Sequence, residues 1–209
     1  MSLISFKSLL VVAVVLLLDL AEIQGHGRLM DPVNRSSLFR IAKFKGKSPA
    51  NYNDNEIWCG GRGFQEAQGG RCGVCGDKVT DRAPRQNENG GFYGKGVIVR
   101  SYKSGERFTA KVELSASHKG YFEFAVCPLD EPGQVETEEC FAAHPVKLAN
   151  GFSRYYVTVA GSHMHVVELQ LPAALSCQHC SFRWHYTTGH NPGLKQQETF
   201  RNCADISIV

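Results

Sequence analysis

Apolar and polar residues alternate along the second half of the chain, which predicts β-strands. From Arg107 to Ser115 every second residue is apolar, and the same period recurs from Tyr121 to Cys127. A period of two places alternate side chains on opposite faces of a strand, so both segments are predicted to be half-buried. Five further stretches have weaker strand patterns, namely Gly96 to Tyr102, Tyr155 to Val159, His163 to Leu171, Ser181 to Thr187 and Asn202 to Val209.

These seven short strands, separated by Gly, Pro or Asn turns, predict an all-β fold, an antiparallel β-sandwich of the immunoglobulin or fibronectin type. The first half of the chain lacks the alternation. Residues 27–95 are rich in Gly, Asn, Arg and Pro, so we predict long loops tied down by Cys59, Cys72 and Cys75, with room for one short helix. No second domain follows, and residues 26–209 are predicted to form one domain.

The N-terminal segment has the pattern of a secretory signal peptide. Lys7 lies in a short basic region, an apolar run extends from Leu9 to Leu18, and the small residue Gly25 precedes the expected cleavage site. The apolar run is too short to span a bilayer. We therefore expect removal of residues 1–25, a secreted extracellular protein and a mature chain that begins at His26.

The charge of the mature chain is mild. After removal of residues 1–25, 22 basic and 18 acidic residues remain, a formal charge of +4. This charge is too weak to indicate a nucleic-acid partner, and no basic run is interleaved with aromatic residues. We expect a monomer with neither a nucleic-acid nor a membrane partner.

All eight cysteines lie after the predicted cleavage site, and an even number in a secreted chain favours disulfides. Two Cys-x-x-Cys pairs, Cys72/Cys75 and Cys177/Cys180, could instead indicate a zinc or thiol-redox site. Their separation of about a hundred residues far exceeds the roughly 15 to 20 of compact zinc ribbons, so we favour structural disulfides. The pairing stays open for Cys59, Cys72, Cys75, Cys127, Cys140, Cys177, Cys180 and Cys203.

A chain that begins at His26 would offer two metal ligands from one residue, the α-amine and the imidazole Nδ1. The candidate third ligand is His118, in a turn that follows the strand ending near Ser115. Three nitrogen donors in a roughly T-shaped arrangement favour copper. The amine loses its proton easily, since its reference pKa is near 7.7 to 8.0. Surface or strand-packing roles are the simpler interpretation of His144, His163, His165, His179, His185 and His190.

Asn34-Arg35-Ser36 is a glycosylation sequon, eight residues beyond His26. In a secreted chain such a sequon predicts a glycan on the surface, here at Asn34. A glycan so close to the expected ligand would crowd the metal site.

Five sequence blocks, in order along essentially the whole mature chain, resemble the lytic polysaccharide monooxygenases of the arthropod-type branch, auxiliary activity family fifteen, whose domain is of the chitin-binding type-4 class. They are His26-Gly-Arg-Leu-Met-Asp-Pro-Val-Asn-Arg-Ser-Ser, Trp58-Cys-Gly-Gly, Arg71-Cys-Gly-Val-Cys-Gly-Asp77, Leu114-Ser-Ala-Ser-His-Lys-Gly-Tyr-Phe-Glu-Phe124 and Gln197-Glu-Thr-Phe-Arg-Asn-Cys-Ala-Asp-Ile206. Each block alone would be weak, whereas the five together are specific.

The resemblance implies a fibronectin-like β-sandwich with one type-2 copper ion bound by His26 and His118. It places Phe200 at the axial position, which a phenylalanine blocks because it cannot ligate. It also matches Ala116 to a small residue that shapes the other axial face.

The activity implied by the resemblance is oxidative cleavage of glycosidic bonds in crystalline chitin or cellulose, with O2 or hydrogen peroxide and an external electron donor. Tyr186 and His190 are expected on the surface as substrate contacts. Two alternatives stay open: a non-catalytic, secreted polysaccharide-binding protein on the same fold, and a copper carrier. The segment Thr187 to Gln196 is shorter than the cysteine-containing loop of relatives, so one family disulfide is predicted to be absent and the rim of the binding face altered.

Overall fold

A computed structural model describes residues 25–189 and 195–209, and most of their regular structure is β. Residues 1–24 of the predicted signal peptide lie outside the described residues. The strands are β1 (His26–Asp31), β2 (Arg100–Tyr102), β3 (Arg107–Ala116), β4 (Tyr121–Pro128), β5 (Pro145–Leu148), β6 (Tyr155–Tyr156), β7 (His163–Gln170), β8 (Cys177–Thr187) and β9 (Thr199–Ile208). Short helices cover Arg62–Ala67 and Glu138–Ala143, and 3-10 turns cover Arg35–Arg40 and Ala42–Phe44. Within these described ranges, no helix is both long and apolar enough to cross a membrane.

The strands form one hydrogen-bonded path in the order β1-β3-β7-β5-β4-β8-β9-β2, with β6 pairing on β4. All neighbours are antiparallel except β2 and β9. Strand β5 pairs with both β4 and β7 and so joins the two halves. The halves pack face to face, since the rings of Phe108 on β3 and Phe182 on β8 lie 5.7 Å apart. The predicted all-β class with disulfide-tied loops is confirmed as a mostly β fold, and the immunoglobulin or fibronectin subtype stays a prediction.

Aromatic side chains fill the space between the halves at the end of the sheet that carries the candidate site. Phe122, Trp184 and Tyr186 are fully buried. The ring of Phe122 meets the edges of Trp184 and Tyr186 at 5.4 and 5.1 Å. Such rings bury large apolar areas in fixed geometries, so this end of the sheet is a rigid base.

The strand prediction missed β1 and β5. Strand β1 lies inside the segment predicted to be irregular, and its inward positions are Gly27 and Leu29. Gly27 is required there because a Cβ would lie 2.4 Å from the side chain of Leu114. One of the two inward residues is therefore a glycine, which hides the alternation. Strand β5 has only four residues and begins with Pro145.

The eight cysteines form four disulfides, which confirms the prediction of structural disulfides. The pairs are Cys59–Cys72, Cys75–Cys203, Cys127–Cys140 and Cys177–Cys180. Among the described residues, the one group with metal-ligand spacing contains Cys75, Glu136 and Cys203. Its two sulfurs are bonded to each other and its carboxylate pairs with Arg35, so this group is not a metal site.

Asn34 is buried, with 1% of its surface exposed. Its Oδ1 accepts hydrogen bonds from the backbone N–H groups of Ser36 and Ser37. Its Nδ2 donates to the Leu29 carbonyl at 2.8 Å and to the Ser37 Oγ at 2.7 Å. A glycan would replace one of the two Nδ2 hydrogens and so remove one of these bonds from a buried side chain. The buried amide therefore argues against the glycan predicted at Asn34. The amide instead caps the first 3-10 turn.

Candidate metal centre

The pairing of β1 with β3 brings the two predicted ligands to the same end of the sheet. His26 lies opposite Ala116 in the register, and His118 follows two residues later in the turn before β4. Ala116, matched above to a residue beside the metal, thus faces the backbone of His26. Residues that are some ninety positions apart in the sequence become neighbours through this one strand pair.

The turn that carries His118 is fixed at several points. The Ser117 hydroxyl donates to the Val159 carbonyl at 2.8 Å. The backbone N–H of His118 donates to the Tyr186 hydroxyl at 3.1 Å. Lys119 has φ of +53° and Gly120 has φ of +92°, so the chain reverses in a left-handed conformation. The backbone of the turn that carries His118 is therefore held in place by these hydrogen bonds.

The surroundings of Gly25 show which side chains enclose the position directly before His26. The backbone N–H of Gly25 donates to the Glu198 Oε2 at 2.8 Å. A Cβ on Gly25 would lie 2.6 Å from that oxygen, 2.7 Å from the His118 Cδ2 and 3.2 Å from the Phe200 Cε2. The position directly before His26 is thus enclosed by an imidazole, a carboxylate and a phenyl ring. An α-amine freed by cleavage after Gly25 would lie beside this space.

The donor set fits copper. It would consist of the imidazoles of His26 and His118 and the α-amine of His26, which are three neutral nitrogen ligands of the kind that Cu(II) prefers. His118 is 7% exposed and its Nε2 is buried. A buried imidazole gives up little solvent contact when it ligates a metal.

Phe200 borders the enclosed space beside Gly25. It is fully buried and stacks on Tyr186 at 5.8 Å and on Trp58 at 6.3 Å between ring centroids. A phenyl ring offers no donor atom, so this side of the space is closed by hydrocarbon. The stack also links the site to the aromatic base under the sheet.

Two carboxylates at the site were not singled out from the sequence. Glu198 is buried and contacts Gly25, as described above. Glu56 lies on the other side, with its Oε1 3.0 Å from the Nε2 of His26. Glu198 is part of a sequence block quoted above, two residues before Phe200, which is a signal that could have identified it. Glu56 follows an Asn-rich loop and carries no such signal.

The structure corrects the predicted substrate contacts. Tyr186 is fully buried, with its hydroxyl donating to the Lys119 carbonyl at 2.6 Å, so it cannot touch a substrate at the surface. Burial raises the pKa of Tyr186 to about 12, and the hydroxyl stays protonated. His190 lies outside the described residues, as do the other residues of 190–194 in the shortened loop.

An exposed aromatic residue in the loop that contacts β1 was also missed. Tyr52 is 80% exposed, and its ring meets Phe39 edge to face at 5.3 Å. Its loop is joined to β1 because the backbone N–H of Gly27 donates to the Asn55 carbonyl at 2.9 Å. Next to this loop is an open cleft of about 470 Å³. The cleft is lined by polar side chains, including Asn53 and Glu56, and by Trp58.

Three of the histidines predicted to have surface or packing roles make contacts of that kind. The ring of His165 is buried, lies 5.4 Å from the ring of Phe122, and burial lowers its pKa. His179 contacts Asp205 at 2.8 Å. Although the rings of His163 and His165 are 5.1 Å apart, they belong to no metal-ligand group within the part of the chain that the structure describes.

Comparisons with known proteins add to this geometry. The profile of a protein family described as "Lytic polysaccharide mono-oxygenase, cellulose-degrading" matches residues 26–206. A solved structure titled "Lytic Polysaccharide Monooxygenase AA15 from Thermobia domestica in the Cu(I) State" superposes with a TM-score of 0.82. It is 37% identical in sequence, and the match covers 88% of this chain and 98% of that one. A search of curated proteins finds no significant match.

Proposed function

We propose, from the premise that this chain belongs to the lytic polysaccharide monooxygenases and is akin to the AA15 branch, that it is a copper-dependent enzyme acting on crystalline polysaccharide. Membership of the family makes the chain an oxidoreductase that cleaves polysaccharide oxidatively. The observation that supports the copper site is the enclosure of the position before His26 by His118 and Phe200. The substrate proposed is chitin or cellulose.

Maturation is the first step that this proposal requires. In the uncleaved chain the nitrogen of His26 is an amide, whose lone pair is delocalised and is a poor ligand. Cleavage between Gly25 and His26 converts it to an amine with an available lone pair. Secretion of residues 26–209 as one domain is therefore part of the proposal, and the oxidised cysteines support it.

Each residue at the site then has a definite role. His26 and His118 would hold copper, while Tyr186 fixes the turn that presents His118. Phe200 closes one side of the enclosed space with hydrocarbon and excludes water from that side. Glu198 can accept an N–H or hold a proton at Oε2, which lies 2.8 Å from the nitrogen of Gly25, the residue directly before the future amine of His26. Copper, when bound, supplies the electron transfer by which O2 or hydrogen peroxide is activated, with electrons from an external donor.

Access to a solid substrate favours this site over a deep cleft. Chains packed in a crystal cannot enter a groove between two carboxylates of the glycosidase type. The side chain of His26 is partly exposed, and the exposed ring of Tyr52 is carried by a neighbouring loop. We propose Tyr52 as a stacking surface for a sugar ring, with the polar cleft beside Asn53 as an adjoining contact.

The test is product analysis with matched protein forms. Protein that begins at His26, loaded with copper and given ascorbate and O2 or hydrogen peroxide, is expected to release oxidised oligosaccharides from chitin or cellulose, detected by mass spectrometry. Protein that retains Gly25 and the His118→Ala variant serve as controls and should release none.

Two outcomes would reject the enzyme. Matured, copper-loaded protein that releases no oxidised products from either substrate contradicts the proposal. If this inactive protein still binds the polysaccharide, and its His118→Ala variant binds equally well, the alternative of a non-catalytic binding protein replaces the enzyme.

Tyr52→Ala is expected to weaken binding to the insoluble substrate without reducing copper affinity.

A further inference from the structure

Glu56 contacts the Nε2 atom of His26, the ring nitrogen that is not expected to bind copper. Its Oε1 lies 3.0 Å from the Nε2 of His26. The side chain of Glu56 is 42% exposed and that of His26 is 26% exposed. We propose that Glu56 is a positioning residue that fixes the tautomer of His26 and strengthens its Nδ1 as a copper ligand. This inference rests on the proposed copper site.

The residues on both sides of Glu56 are hydrogen-bonded to strands of the sheet, which fixes the backbone at the Glu56–His26 contact. The residue before it is fixed because the Asn55 carbonyl accepts the N–H of Gly27 at 2.9 Å. The residue after it is fixed because the Ile57 carbonyl accepts the N–H of Arg201 at 3.1 Å. The Glu56 N–H itself donates to the Asn53 carbonyl at 3.0 Å. One loop is thus attached to β1, which carries His26, and to β9, which carries Phe200.

The chemistry of imidazole gives the contact its consequence. A neutral imidazole has one N–H donor and one lone-pair acceptor, and a carboxylate can only accept. The Oε1 of Glu56 lies within hydrogen-bond distance of Nε2 and a carboxylate accepts there, so the contact places the proton of a neutral His26 on Nε2. The lone pair then lies on Nδ1, which is the nitrogen able to chelate copper together with the α-amine of the same residue. A free histidine would have to select that tautomer at the moment of binding.

The negative charge has a second effect. A carboxylate that accepts the outer N–H of a ligating histidine raises the basicity of the ring. A stronger nitrogen donor stabilises Cu(II) more than Cu(I). Glu56 is therefore expected to raise the affinity for Cu(II) and to lower the Cu(II)/Cu(I) potential.

Two substitutions separate orientation from charge. Glu56→Gln keeps an oxygen that can accept the Nε2 proton but removes the charge, whereas Glu56→Ala removes both. Glu131→Gln is the matched control, since Glu131 is an exposed carboxylate in the loop after β4. Each protein begins at His26 and is measured for Cu(II) affinity by calorimetry, for its Cu(II) paramagnetic resonance spectrum and for its potential.

Glu56→Ala is expected to bind Cu(II) about 10 to 100 times more weakly and to change the paramagnetic resonance spectrum. Glu56→Gln should stay closer to the wild type in affinity while its potential rises. A tenfold selective loss of Cu(II) affinity corresponds to about 59 mV for this one-electron couple. Thermal unfolding of the metal-free variants should match the wild type, which shows that the fold is intact.

The outcomes distinguish this inference from the proposed function. Wild-type protein that binds no copper would reject the copper site itself. Wild-type protein that binds copper while both Glu56 variants keep its affinity, spectrum and potential would overturn the role of Glu56 alone. A loss of the same size in Glu131→Gln would assign the effect to overall charge and also overturn it.

Discussion

The hydroxyl of Tyr186 accepts a hydrogen bond from the backbone N–H of His118 at 3.1 Å. The same hydroxyl donates to the Lys119 carbonyl at 2.6 Å. A buried side chain on β8 therefore satisfies two backbone groups of the turn that presents an expected copper ligand. Tyr186, which was predicted to contact substrate at the surface, is instead buried and holds this turn in place.

Tyr186→Phe is expected to lower the free energy of unfolding by about 1 to 3 kcal/mol. The substitution removes the hydroxyl that accepts from the buried N–H of His118 and donates to the part-buried carbonyl of Lys119, and such losses are of this size. Urea unfolding of the metal-free protein measures the change. Tyr52→Phe is the control, because its exposed hydroxyl should contribute less than about 0.5 kcal/mol. Equal losses in the two variants would contradict the role of Tyr186.

Gly120→Ala is expected to disrupt the same turn. A Cβ at Gly120 would lie 2.0 Å from the Thr187 carbonyl oxygen, which is backbone and cannot move aside easily. Gly133→Ala is the matched control, because Gly133 also has a positive φ but has open space around it. The control should lose about 1 to 2 kcal/mol from backbone strain alone. Gly120→Ala should lose clearly more in the same unfolding measurement, or fail to fold, and a loss no greater than that of the control would contradict the steric argument.

Removing the Cys75–Cys203 disulfide should destabilise the protein more than removing Cys59–Cys72. The two bridges close segments with sequence separations of 128 and 13 residues. In the chain-entropy description, bridges of these lengths contribute nearly 5 and about 3 kcal/mol. Paired Cys→Ser variants compared by thermal unfolding test the order. The reverse order would mean that packing around the bridges outweighs loop length.

Asp77 should give the stability a dependence on pH between about 4 and 6. Burial raises the pKa of its carboxyl from 3.8 to about 6, against the opposing effect of hydrogen bonds from Asn87. The folded protein then binds a proton that the unfolded chain has lost, so this contribution to stability falls as pH rises through that window. The full effect is at most about 3 kcal/mol.

The measurement is urea unfolding at pH 4, 5, 6 and 7 for the wild type and for Asp77→Asn. The asparagine does not titrate, so its stability relative to the wild type should increase from pH 4 to pH 7. A constant difference between the two proteins across this range would show that Asp77 has an ordinary pKa.

Much of the architecture could be predicted from local pattern. Strand β3 alternates strictly because it buries one face, and the first half of β4 alternates in the same way, so both are visible in a short sequence window. The oxidised state of the cysteines follows from their number and the expected compartment. The sequence blocks quoted above also contain His118 and Phe200, which the structure brings together beside Gly25, directly before His26.

Only the tertiary structure decided which residues lie next to one another across long distances in the chain. Glu198 meets Gly25 across 173 positions, and Glu56 meets His26 across 30. The burial of Tyr186 has the same origin, since its hydroxyl contacts His118 and Lys119, which belong to a distant turn. The spacing of apolar residues within a short segment indicates whether it forms a strand, and the residue types present indicate which ligands or acids it can supply. Contacts between distant elements depend on how the sheet folds over its core, and no short window of sequence contains that information.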